Sequence, residues 1–70
     1  MNHLTKRSFT IQGHRTSVAL EPAFWAAFDT AVSSRAQTPT ALITAIDEAR
    51  TTPLASAIRV WLLNQGNSSL

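Results

Sequence analysis

The chain has 70 residues, with six lysines and arginines against four acids, and 44% of it is hydrophobic. That length makes one domain, and a domain this small hides only about 60% of the surface its unfolded chain exposes, so it usually relies on a disulfide, a metal or a partner subunit. No cysteine is present, which excludes disulfides, thiolate zinc sites and thiol redox chemistry together; His3 and His14 are far apart in a ligand-poor stretch, and oligomerisation is what remains.

The net charge of +2 says less than its distribution. Residues 1–20 carry Lys6, Arg7, Arg15 and both histidines but no acid, whereas Glu21, Asp29, Asp47 and Glu48 all follow. Two such basic arms side by side in a dimer suit a polyanion; the plainer alternative is a solvated N-terminal segment. The apolar run Val60 to Leu63 falls far short of the roughly 20 residues a membrane-spanning helix needs, and no apolar stretch follows Lys6-Arg7 as a secretory signal requires. The expectation is a cytoplasmic protein with no membrane partner.

In chain order, residues 1–5 read as a flexible end. Over 6–20 the pattern alternates, with Phe9 and Ile11 apolar among Ser8 and Thr10, then Thr16, Val18 and Leu20 among Arg15, Ser17 and Ala19. Period two with β-branched residues predicts strand, and Glu21-Pro22 ends it. Helix A is expected over 22–35, since Phe24, Phe28, Ala31 and Val32 share one helical face and Trp25 widens it. Thr38-Pro39 supplies an N-cap and a first-turn proline for helix B, 39–50, whose buried stripe is Leu42, Ile43, Ile46 and Ala49. Thr52-Pro53 repeats that signal for helix C, 53–65, with Leu54, Ala57, Ile58, Trp61 and Leu62 along one side. Gly66 is the expected stop and 66–70 a frayed tail.

Nothing in the chain assembles catalytic chemistry. Asp47 and Glu48 are adjacent on a helix and point about 100° apart, neither histidine has an orienting carboxylate, and Gly13 and Gly66, the two glycines, do not make a phosphate loop. The reading is no enzyme, no cofactor, no metal and no small-molecule substrate.

A strand followed by two helices leaves its edges unpaired and its apolar face open, and pairing with its own copy about a two-fold axis closes both. The stretch from Gly13 to Pro22, then Phe24-Trp25, Leu42 to Asp47, and Leu54 to Val60, resembles small bacterial ribbon-helix-helix proteins, relatives of the Arc and methionine-repressor type of transcription regulator; the likeness covers roughly Arg7 to Leu63. It implies a mainly α fold with a short β-ribbon, an intertwined ribbon-helix-helix homodimer plus an extra C-terminal helix, and double-stranded DNA as partner. In that family paired strands enter the major groove, so Arg15, Ser17 and Ala19 would meet base edges, Lys6 and Arg7 would add charge, and Thr38 and Thr40 at the start of helix B would hold a phosphate. The dimer core would be Val18, Leu20, Phe24, Phe28, Leu42, Ile43 and Ile46. Members often carry a glycine between the two helices, where this chain has Ala36; at positive φ an alanine costs stability.

Residues 6–11 leave a choice open. One straight strand would put Phe9 and Ile11 on the same face as Arg15 and Ser17. A two-residue turn at Gln12-Gly13 pairs Ile11 with His14, Phe9 with Thr16 and Arg7 with Val18, and gathers Lys6, Ser8, Thr10, Arg15, Ser17 and Ala19 on the other face; a bulge at Gly13 also switches faces. Two hairpins in a dimer make four strands, which a major groove about 12 Å wide does not readily admit. The leading expectation is a homodimeric DNA-binding transcriptional regulator, tetrameric if helix C pairs with its copies. The alternative is a protein-interaction module, antitoxin-like or otherwise, on the same scaffold, with Val60 and Leu63 as the docking face.

Overall fold

The computed structural model describes residues 3–67, with side chains through 65, so the ends expected to be loose at 1–2 and 68–70 lie outside the described residues. The elements are β1 (Thr5–Ile11), β2 (His14–Leu20), α1 (Pro22–Ser34), α2 (Pro39–Ala49) and α3 (Leu54–Asn67). The chain is mainly α with a short antiparallel ribbon at its start. Several boundaries differ from expectation: Thr5 already belongs to β1, α1 and α2 each end one residue earlier, and α3 starts one residue later and runs through Gly66 to Asn67. A glycine ends a helix where its backbone turns left-handed, and Gly66 stays helical.

Of the alternatives for residues 6–20, the chain adopts the hairpin. β1 and β2 pair in the register Thr5↔Leu20, Arg7↔Val18, Phe9↔Thr16 and Ile11↔His14. Gln12 and Gly13 form the turn, with φ of 50° and 82°. Positive φ at both central residues is the type I′ signature, whose twist matches that of the flanking strands. Glycine takes that backbone freely, and a Cβ at Gly13 would meet nothing within 4 Å, so backbone conformation alone favours glycine there. Gln12 bears the strain of a left-handed side-chain residue, and its Nε2 donates to Glu48 Oε2 at 2.9 Å, tying the hairpin tip to α2.

One edge of β2 is therefore paired within the chain, by β1. The physical reason is local: β1 carries the same alternation, and a two-residue connection closes at far lower entropic cost than docking a second molecule. The ribbon's apolar face, Phe9, Ile11, Val18 and Leu20, lies on the helices and is at most 7% exposed. Trp25 and Phe28 of α1, Leu42, Ile43 and Ile46 of α2, and Ile58 and Leu62 of α3 complete the core. Six of the seven positions expected in a dimer core are thus buried inside one chain, while Phe24 packs on the core half-buried. Leu20, Phe28, Ile43 and Ile58 are fully enclosed. α3 covers this core with Ile58 and Leu62.

The α1–α2 connection explains the glycine preference noted in the sequence. Ala36 sits at φ 52°, its N–H donating to the Ser33 carbonyl at 3.2 Å and that of Gln37 to the Val32 carbonyl at 3.2 Å. This pair of bonds is a Schellman motif with a left-handed residue at its centre. An L-residue there costs about 1–2 kcal/mol, partly offset because glycine loses more entropy on folding. Ala36→Gly is expected to raise unfolding stability by about 0.5–1 kcal/mol, readable as a higher midpoint in urea at unchanged slope; a lower midpoint would show that the turn does not hold this backbone.

Candidate nucleic-acid interface

Antiparallel pairing sends alternate side chains of both strands to the surface away from the helices. The cross-strand pairs on that outer face are Lys6 with Ala19, Ser8 with Ser17, and Thr10 with Arg15. All are exposed except Ala19, which is half-buried. Ser8 and Ser17 hydroxyls lie 3.3 Å apart at its centre, so the middle of the ribbon offers two small groups that can each donate or accept. Lys6 and Arg15 occupy opposite corners, four residue steps apart along the ribbon, or roughly 14 Å at about 3.4 Å per residue.

The charged side chains elsewhere have partners. Arg59 donates to Glu21 at 2.9 Å, Arg50 to Asp47 at 2.9 Å, and Arg7 makes a two-pronged pair with Asp29 at 2.9 and 3.1 Å. Arg35 donates to Gln37 Oε1 at 3.0 Å and stands over the Trp61 ring. Glu48 accepts from Gln12. All four acids are engaged, and among the described residues Lys6 and Arg15 are the cations with no acidic, amide or ring partner. Both are on the outer ribbon face, where no acid lies.

Arg7 parts company with them. It lies on the helix-facing side of the ribbon, its guanidinium 4.5 Å from the centre of the Trp25 ring and clamped by Asp29. Odd-numbered positions of β1 face inward, so a register that buries Phe9 and Ile11 necessarily turns Arg7 away from Lys6. The hydrogen bond to Asp29 raises the Arg7 pKa and holds the Asp29 carboxyl below the usual carboxylate range; Arg59 does the same to Glu21. A carboxylate whose folded pKa is depressed adds stability that is present above its unfolded pKa and lost as pH falls through the folded one. Stability is therefore expected to hold from neutrality down to about pH 5 and to fall below about pH 4. Asp29→Asn should flatten part of that loss in melts at stepped pH; an unchanged acid limb would remove Asp29 from the explanation. Both partners are substantially solvent-exposed, so the effect is modest.

Thr38 and Thr40 lie at the exposed start of α2. Thr38 caps the helix, its Oγ1 accepting from the Ala41 N–H at 3.1 Å while its carbonyl accepts from Leu42 at 3.2 Å. Pro39 has no N–H, which leaves the Thr40 amide, with no acceptor among the described residues, as the first-turn donor still free. Outside the ribbon, a cleft of about 360 Å³ runs between α2 and α3, lined by Leu42, Ile46, Arg50, Val60 and Trp61 among others. Among the described residues, no group of three or more His, Asp or Glu could hold a metal, and no helix is long and apolar enough to cross a membrane.

The model of the ribbon-helix-helix domain matches residues 4–65. The chain belongs to the ribbon-helix-helix family. No curated protein and no solved structure matches it. Within this ribbon-helix-helix chain, sequence alternation located the outer-face residues, Ser8 and Thr10 included. The ion pairs of Arg7 and Arg59 span 22 and 38 residues and carry no sequence signal of their own.

Proposed function

We propose that this ribbon-helix-helix protein is a DNA-binding protein, a small bacterial transcriptional regulator acting as a homodimer, that meets DNA with the outer face of its ribbon. The observation that carries this reading is the sorting of charge: every acid is engaged elsewhere, while Lys6 and Arg15 stand unpaired on an acid-free surface of hydroxyls. Unpaired cations release counterions when they meet phosphates, and an arginine on a rigid strand can donate twice to a guanine edge. Ser17 is undiscriminating, and Ala19 offers a contact to a thymine methyl. Thr38 and Thr40 would add a phosphate contact through the Thr40 amide and hydroxyl and the α2 dipole. In this reading the dimer does not close the core; it doubles the basic face.

A second reading, a protein-interaction module, is favoured by the apolar surface of α3. Val60 and Leu63 are 55% and 59% exposed, and Val60 lines the cleft against α2. Fluorescence anisotropy on a labelled mixed-sequence duplex at low salt separates the two. DNA binding predicts saturable association that Arg15→Ala weakens about fivefold or more, while Arg50→Ala, paired with Asp47 away from the ribbon, leaves it unchanged. Absence of association at low salt would move the assignment to the interaction module.

A further inference from the structure

The cleft between α2 and α3 shares no residue with the ribbon, and its lining sorts by chemistry. α2 supplies Leu42, Ala45, Ile46 and Ala49, spaced i, i+3, i+4 and i+7 along one stripe, and α3 supplies Ala57, Val60 and Trp61. Arg35 and Gln37 stand at the end near the α1–α2 connection, and Arg50 to Thr52 at the end near the α2–α3 connection. We propose that this cleft binds a small apolar monocarboxylate, its hydrocarbon body on the α2–α3 floor and its carboxylate held by Arg35. The proposal goes beyond DNA binding and does not depend on it.

Three observations carry it. The first is space. The cleft measures about 360 Å³, and small-molecule sites of about 300–1,000 Å³ are likewise apolar with a few placed polar groups. It is open because Ala45, Ala49 and Ala57 stop at Cβ. Its floor along α2 runs about 10 Å at roughly 1.5 Å per residue. Polar side chains bound both ends, which suits a short molecule better than a polypeptide passing through.

The second is charge. Neither a histidine nor an acid lines the cleft, which makes it a place for binding and not for acid–base chemistry. Arg50 already donates to Asp47 and to the Thr52 carbonyl, each at 2.9 Å. Arg35 has only the neutral Gln37 as acceptor, so it is the uncompensated cation. A second copy seated here about a two-fold axis would bring one Arg35 toward another, a like-charge approach that costs affinity. A monoanion complements it.

The third is preorganisation. Arg35 is exposed yet held at two points. Its Nε donates to Gln37 Oε1 at 3.0 Å, and its guanidinium lies 5.4 Å from the centre of the Trp61 ring. Both terminal nitrogens have no acceptor among the described residues, and that pair is a fork able to grip a carboxylate with two parallel hydrogen bonds. Trp61 also lines the cleft, so the anion grip adjoins the apolar floor.

Titration of octanoate into the isotope-labelled full chain, without DNA and followed by amide and indole N–H shifts, tests this. Saturable shifts are expected at the Trp61 indole and at Ala45, Ala49 and Ala57, with half-saturation at about 1 mM or below. The Trp25 indole, buried beneath the ribbon, should not move. Octanamide, with the same body and no charge, should bind about fivefold more weakly. In Arg35→Gln the acid and the amide should bind alike. Ala45→Leu, at an exposed position, should fill the cleft and abolish the shifts while circular dichroism shows it folded. Equal binding of acid and amide by the native chain, or an Arg35→Gln that weakens both by one factor, would overturn the proposal. So would the absence of shifts at about 10 mM octanoate, or Trp61 shifts that follow protein concentration instead, which would give the face to a second copy.

Discussion

Phe28→Ala is expected to lower the unfolding free energy by about 3–5 kcal/mol, which leaves much of a 70-residue domain unfolded at room temperature. Phe28 is fully enclosed and stands at the junction of ribbon and helices. Its ring lies edge-on to Trp25, with centres 5.4 Å apart, and 6.2 Å from Phe9 of β1. Deleting it removes apolar burial and opens a cavity bounded by the ribbon's own side chains, so β1 loses its floor as well. Urea unfolding followed by circular dichroism checks the size. A cost under 1 kcal/mol would mean that the aromatic junction collapses around the gap or is not packed in this way.

Trp25→Ala is expected to cost about 3–5 kcal/mol and to act first on the ribbon. Trp25 is 2% exposed, packs 6.0 Å from Phe9, carries the Arg7 guanidinium on its face, and gives its N–H to the Thr5 carbonyl. One side chain thus holds β1 by packing, by cation–π attraction and by a hydrogen bond. Trp25→Phe keeps most of the packing and deletes the donor, so it should cost a smaller amount, about 1–2 kcal/mol. Amide exchange gives the finer view, because β1 should lose protection before α2 does. Uniform loss in every element would show that ribbon and helices open as a single unit, with no separate tie at Trp25.

The division between what was legible in the sequence and what was not follows from range. Alternation of Phe9 and Ile11 with Ser8 and Thr10, and of Val18 and Leu20 with Ser17 and Ala19, carries the strands, the register and the outer face, because a one-residue slip would expose the whole apolar set. Caps and prolines at Thr38-Pro39 carry the start of α2. The hairpin itself was only one of several solutions, since Gln-Gly is a weak turn pair and the strain at Gln12 is accepted for contacts elsewhere. The burial of six expected dimer-core residues inside one chain was not legible. That depends on α3 folding back over α1, α2 and β2, which needs three-dimensional packing rather than period. Arg7 illustrates the same limit. Its charge groups it with Lys6 along the chain, whereas its parity in β1 and the distant Asp29 draw it to the opposite face.

The salt dependence of wild-type binding to duplex DNA tests the role of the ribbon face most directly. If the acid-free ribbon face brings Lys6 and Arg15 into the DNA's counterion atmosphere, log K falls linearly with log salt concentration. The slope should be about −2 for one chain if each of those two cations displaces about one counterion, and Arg15→Ala should make it shallower by about 1. An affinity that does not change with salt, or a slope untouched by Arg15→Ala, would contradict the assignment of that face.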